Sequence, residues 1–218
     1  MRIYLRTSPI AQTLPFNYQP ILTGVLHKWL GANELHDGLS LYSFSWLEGG
    51  QVLSKGLRFR EGASWFISSH DPAMIRALVA AIQQDPEMMP GTYVRSLALR
   101  DTPAFGAEAY CLLGSPVLIK QQQENGIRHL TFEDEEAPAQ LAEILRRKAR
   151  AAGIAHPDIE IHFDRTYAQA RTKVIYYRNI GNRVSLCPLI LRGNPDMIAL
   201  AWDAGVGHST GIGFGSLK

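Results

Sequence analysis

The feature that most constrains the fold is the order in which apolar residues change their period over the first hundred positions. Arg2 to Arg6 alternates apolar and polar residues as a half-buried strand does. Leu14-Pro15-Phe16-Asn17-Tyr18 then turns the chain, with Asn17 placed to cap a helix. Ile21, Leu22, Val25, Leu26 and Trp29 recur at helical spacing, and Gly31 ends the run. Leu39 to Leu47 reads as a strand, Glu48-Gly49-Gly50-Gln51 as a hairpin turn, and Val52 to Phe59 and Trp65 to Ser68 as further strand pieces. Asp71-Pro72 opens a second helix whose apolar face is Met74, Ile75, Leu78, Val79 and Ile82. Tyr93 to Leu99 alternates again. Strand, helix, strand, strand, helix, strand is the split βαβ arrangement of ferredoxin-like folds.

Thr102 to Gly106 reads as a linker, and the second half follows the same logic less regularly. Ala109 to Lys120 is strand-like with a break at Gly114-Ser115-Pro116, and Arg128 to Phe132 returns after the polar turn Gln121 to Asn125. Ala137 to Ala152 is an amphipathic helix with Leu141, Ile144 and Leu145 inward. Ile159 to Phe163, Thr172 to Tyr177 and Val184 to Leu191 are strands, and Asn194 caps a last helix. The expected class is α+β: two tandem ferredoxin-like (RRM-like) domains, residues 1–101 and 107–218.

Composition adds limits. A 46% hydrophobic and 19% charged chain is globular in type, and it has no apolar run long enough for a membrane helix. The amino terminus lacks a signal-peptide core. Cys111 and Cys187 match no metal spacing or disulfide framework, so a cytoplasmic setting with no metal and no cofactor is the simplest expectation. Net charge is only +2, but its distribution is uneven. Arg165, Arg171, Lys173, Arg178, Arg183 and Arg192 fall in a stretch, 165–195, without one Asp or Glu, and Tyr167, Tyr176 and Tyr177 are interleaved. Cations neutralise phosphates and aromatic rings stack on unpaired bases, so this stretch is the expected RNA track, with Arg165, Arg171, Lys173 and Arg178 its chosen contacts. The run Arg146, Arg147, Lys148, Arg150 reads first as a solvated helix face.

The carboxyl end carries five glycines in eleven residues, Gly205 to Gly215, directly after a helix. Such a segment suits a backbone surface for a phosphate-bearing partner. It is not a nucleotide loop, which precedes its helix and here would also lack Gly-Lys-Ser/Thr. Gly205-Val-Gly-His-Ser-Thr-Gly-Ile-Gly-Phe-Gly215 closely resembles the glycine-rich loop of the RAMP superfamily of CRISPR-associated proteins. Leu14-Pro15-Phe16-Asn17-Tyr18 and Gly114-Ser115-Pro116-Val117 agree at matching places. Within that superfamily the chain resembles the endoribonuclease that cuts precursor CRISPR RNA inside each repeat.

The resemblance implies the partner, CRISPR repeat RNA, and contacts to it from Gly207, His208, Ser209, Gly211, Gly213 and Phe214. It leaves open association with CRISPR effector subunits, a homodimer, and the alternative of a non-catalytic RNA-binding subunit. RNA is cut without metal when its own 2′-hydroxyl attacks phosphorus, which needs a base and an acid; histidine serves as either. The endonucleases place a Tyr or His on the first helix and a His after it, positions matched here by His27 and His36. A third position, sometimes Lys, falls near Ser40. Lys28, Lys55 or an arginine then stands in as the phosphorane stabiliser, and Tyr42 lines the site.

Overall fold

A computed structural model describes residues 1–31 and 39–218. The elements in order are β1 (Arg2–Thr7), β2 (Ile10–Leu14), α1 (Gln19–Leu30), β3 (Tyr42–Phe44), β4 (Gln51–Leu53), β5 (Gly56–Phe59), β6 (Ser64–Ser69), α2 (Pro72–Gln84), β7 (Glu87–Met89) and β8 (Thr92–Arg100). Then come β9 (Glu108–Cys111), β10 (Ile119–Gln123), β11 (Gly126–Leu130), α3 (Ala137–Ala151), β12 (Ile159–Phe163), β13 (Arg171–Tyr177), β14 (Ile180–Leu186), β15 (Leu189–Gly193) and α4 (Pro195–Ala204), followed by a 3-10 turn, Thr210–Ile212.

The first sheet runs β3-β6-β1-β8-β7 with antiparallel pairs throughout. Its first four strands have the ferredoxin-like order. Ile3 and Leu5 point from β1 into a core shared with Leu22, Leu26 and Trp29 of α1 and Ile75 and Leu78 of α2. Arg2, Tyr4 and Arg6 point the other way, as a strand's period of two requires. The second sheet runs β12-β15-β9, and a bridge between Leu113 and Leu217 adds the chain end beside β9. Helices α3 and α4 cover it through Leu141, Leu145, Ile198 and Ala201. Two hairpins, β10–β11 and β13–β14, are inserted into this second frame.

The two frames are locked together. The Arg2 guanidinium lies 4.0 Å from the ring centres of both Phe66 and Trp202, and donates to the Trp202 and Leu217 carbonyls at 2.9 Å. A small third cluster, Leu118, Ile175, Val184 and Phe214 with Trp46 against it, fills the seam.

Several local expectations are corrected. Tyr18, not Asn17, is the cap residue of α1, without a side-chain bond. The hairpin lies at Ser54-Lys55 between β4 and β5, because the chain stays beside β6 as far as Glu48, which bridges Ser64, and changes sheets only after it. Before that bridge the ladder is interrupted where Trp46 N–H donates to the Gly114 carbonyl, which confines β3 to three residues. Val184 to Leu191 is two strands in different sheets, parted at Pro188, which has no N–H to continue a ladder. The caps read at Asp71 and Asn194 are present, accepting from Ala73 and Asp196 N–H at 2.8 and 2.9 Å.

Candidate nucleic-acid interface

The glycine-rich segment leaves α4 and is held between the two frames. On the α3 side, Lys148 is buried, and its ammonium spends all three N–H bonds there: on the Ala204 carbonyl at 2.7 Å, the Gly205 carbonyl at 3.1 Å and the Thr210 hydroxyl at 3.0 Å. Those carbonyls end α4, where the helix dipole is negative. Burial pulls the Lys148 pKa down to about 7. On the same side, Gly215 N–H donates to the Pro116 carbonyl at 2.7 Å and His208 N–H to the Leu118 carbonyl at 2.7 Å.

On the β3 side, the Ser43 hydroxyl donates to the Asp203 carbonyl at 3.2 Å and the Trp46 indole to the Gly213 carbonyl at 3.0 Å. A Cβ at Gly211 would sit 2.6 Å from Ser40 Oγ and 2.7 Å from Tyr42 Oη. One at Gly213 would sit 2.8 Å from the Phe44 ring. The glycines thus let β3 approach the segment. Most of Gly205 to Leu217 is buried, and only His208, Ser209 and Ile212 reach partly into solvent.

The rim of this segment is basic. His208 Nδ1 accepts from the Lys120 N–H at 3.1 Å, and Lys120 Nζ donates to the Ser209 hydroxyl at 3.3 Å. Burial first, then the charges of Lys120, Arg147 and Lys148, lower the His208 pKa to about 4, so the ring is neutral at pH 7. Burial also lowers the Lys120 ammonium. Across from them, Tyr42 shares a hydrogen bond with Ser40 and lies near Tyr177 of the β13–β14 hairpin; burial raises its phenol. Helix α1 packs against the turn Thr210–Ile212.

The sequence profile of the family described as "CRISPR associated protein Cas6, C-terminal" matches residues 101–218, more than half of the chain and all of this segment. The chain belongs to the Cas6 family. Membership supports a role in CRISPR RNA processing. No curated protein sequence gives a significant match. Among solved structures, a Cas6-related gene product from Pyrococcus furiosus is similar, with 20% identity and a TM-score of 0.87 over 100% of this chain and 97% of that one. A RAMP protein described as binding different RNA substrates is 23% identical, with a TM-score of 0.85 over 100% and 98%. A further CRISPR-associated protein Cas6 is 22% identical, with a TM-score of 0.82 over the same shares. These likenesses cover both ferredoxin-like halves.

Placed on the Cas6 frame, the expected site residues divide. Ser40, Tyr42, Gly211, His208 and Ser209 come together at the segment's rim. His27 lies half-buried in the last turn of α1, where its carbonyl accepts from Gly31 N–H at 3.0 Å. His36 lies outside the described residues. Lys28 is committed elsewhere, its ammonium 2.7 Å from Asp85 Oδ2 and 2.6 Å from the Glu87 carbonyl. Phe214 is corrected from an RNA contact to a seam residue, because its ring is fully buried. Gly207, Gly211 and Gly213 are buried as well.

On the basic stretch, Arg165, Arg171, Lys173 and Arg178 are exposed and form no ion pair among the described residues. Arg183 and Arg192 are paired, with Glu133 at 3.5 Å and Glu108 at 2.7 Å. Arg178 and Asn179 form the hairpin tip with φ of 47° and 69°, as a two-residue turn of this hand requires. The run in α3 is not one solvated face. Arg146 and Arg150 pair with Glu143, Lys148 is buried, and Arg147 is exposed, forms no ion pair among the described residues and puts its charge near His208. Lys120 and Tyr177 were not expected at the rim. Lys148 was legible in part, since 141, 145 and 148 share one helical stripe. Among the described residues no His, Cys, Asp and Glu side chains gather as a metal site would require.

Proposed function

We propose that the chain is a metal-independent endoribonuclease that cuts the repeat of precursor CRISPR RNA to release mature guide RNA. One histidine of the pair His27 and His36 takes the proton from a ribose 2′-hydroxyl. That oxygen attacks the adjacent phosphorus, the bond from phosphorus to the 5′-oxygen breaks, and the other histidine protonates the leaving oxygen. The products are a 2′,3′-cyclic phosphate and a 5′-hydroxyl. The stabiliser of the phosphorane is sought among Ser40, Tyr42 and the Lys120 ammonium, since Lys28 is engaged with Asp85.

The observation that carries the reading is the continuous free positive charge around a Cas6 glycine segment. Lys120 and Arg147 stand at its rim, and Arg171, Lys173 and Arg178 run along the adjoining hairpin, without acids to cancel them. A similar RAMP protein described as binding RNA substrates supports it.

The test is cleavage of the repeat RNA from the organism's own array in excess EDTA, with a normal or 2′-deoxy sugar at the cut. Cutting persists in EDTA, stops with the 2′-deoxy sugar, and falls at least 100-fold in His27→Ala and in His36→Ala, within the usual range for an acid–base group. Loss of cutting in EDTA overturns the mechanism. Tight binding without cutting assigns the chain to the non-catalytic RAMP subunits instead.

A further inference from the structure

A groove of about 460 Å³ runs between the turn into α1 and strand β13. Phe16, Asn17 and Lys55 line it from the first half, and Lys173, Val174 and Tyr176 from the second. Phe16 is 48% exposed and Tyr176 56%, so neither core accounts for these rings. Val174 and Tyr176 share one face of β13, and Tyr176 stands opposite Gly181 in the hairpin ladder. A Cβ at Gly181 would touch both at 3.4 Å, so the glycine leaves the ring free on that flank. Neither lysine has a hydrogen bond or ion pair among the described residues, and no acid lines the groove.

We infer that this groove is a binding site for one unpaired nucleotide of an RNA strand, its base packed against both Phe16 and Tyr176 and its phosphates held by Lys55 and Lys173. The inference rests on the RNA-binding reading above and adds a position to it. The volume is within the range of small-molecule sites. Two free cations without an acid select an anion, and two uncovered aromatic rings select a flat, apolar partner. A paired base has both faces covered by its neighbours, so the strand here is single-stranded. A protein helix would instead need an uncharged apolar floor, and here Lys55 and Lys173 stand beside the apolar residues Pro15, Val174 and Ile175.

The experiment uses the full chain and the array's repeat RNA carrying one 2-aminopurine at each unpaired position in turn. Stacking quenches that fluorophore. At one position the parent protein quenches it, and Phe16→Ala and Tyr176→Ala both relieve the quench and weaken binding roughly 5- to 160-fold, the range of one lost base–aromatic stack. Tyr176→Phe keeps both signals, and unchanged melting shows that the exposed substitutions leave the fold intact. Both alanine variants binding within twofold of the parent, with no position responding, overturns the groove while leaving the processing reading in place. If the parent does not bind the repeat at all, the processing reading falls. An oligouridylate with a central 2-aminopurine then decides the groove: a quench lost in both variants upholds it, and no quench overturns it. Loss of self-association in Phe16→Ala with RNA binding unchanged makes the groove a protein contact and refutes the nucleotide site.

Discussion

Replacing Gly215 by alanine separates the two reasons a chain can have for a glycine-rich end. Gly215 has φ of 66°, and an added Cβ would overlap the Val206 carbonyl oxygen. Its carbonyl accepts from Val206 N–H at 2.8 Å and its N–H donates to Pro116 at 2.7 Å, so the backbone is held from both sides. An alanine in the left-handed region costs about 1–2 kcal/mol. Moving a packed backbone to relieve the overlap costs a further 1–3 kcal/mol or so. With some loss from the two hydrogen bonds, roughly 3–5 kcal/mol is expected, a large part of a typical stability of about 5–15 kcal/mol. For a chain of this size that lowers Tm by about 6–20 °C in calorimetry. Gly211→Ala is the contrast. Its φ is not left-handed, and its Cβ meets only the side-chain tips of Ser40 and Tyr42, so about 1 kcal/mol and a few degrees are expected. If Gly215→Ala melts within about 2 °C of the parent yet loses RNA affinity, the glycine serves ligand approach rather than packing, and the reasoning fails.

Arg2 and His208 give two further tests. Arg2→Ala removes a buried guanidinium from between Phe66 and Trp202 and leaves two carbonyls unpartnered, so a loss of about 3–5 kcal/mol is expected, seen as a lower and broader calorimetric transition. Arg2→Lys does not restore it, because an ammonium cannot stack in the same plane. His208 binds its proton less readily folded, near pH 4, than unfolded, near 6.5, so its contribution is full above pH 6.5 and is lost as pH falls toward 4. Its partial exposure holds that contribution to about 1–2 kcal/mol. Melting between pH 6.5 and 5 shows its slope ahead of Asp134 and Asp164, whose carboxyls are held below their ordinary value by hydrogen bonds. His208→Asn flattens that slope; an unchanged slope refutes the assignment.

Much of the fold was legible because it is written in local periods. The alternation of Arg2 to Arg6, the stripe Leu22–Leu26–Trp29 and the caps at Asp71 and Asn194 each depend on residues a few positions apart, and each lies where expected. The misplaced hairpin near Glu48 and the undivided strand through Pro188 failed for one shared reason. In both places the chain changes sheets, after the Glu48–Ser64 bridge and at Pro188, and such a change is set by tertiary partners, as β9 is for β15.

The site shows the same division. By itself the sequence determined that the chain ends in a glycine-rich segment of the RAMP type, that a stretch from Arg165 to Pro195 carries cations without acids, and that histidines stand on and after the first helix. Only the tertiary structure decided what those features do to one another. It spends Lys148 on fastening the segment, pairs Arg183 and Arg192 with acids, and withdraws Phe214 into the seam. It also brings β3 so close that a Cβ at Gly213 would crowd the Phe44 ring at 2.8 Å. Sequence records which groups are available; burial and charge pairing act here between residues fifty or more positions apart, and only packing brings those together.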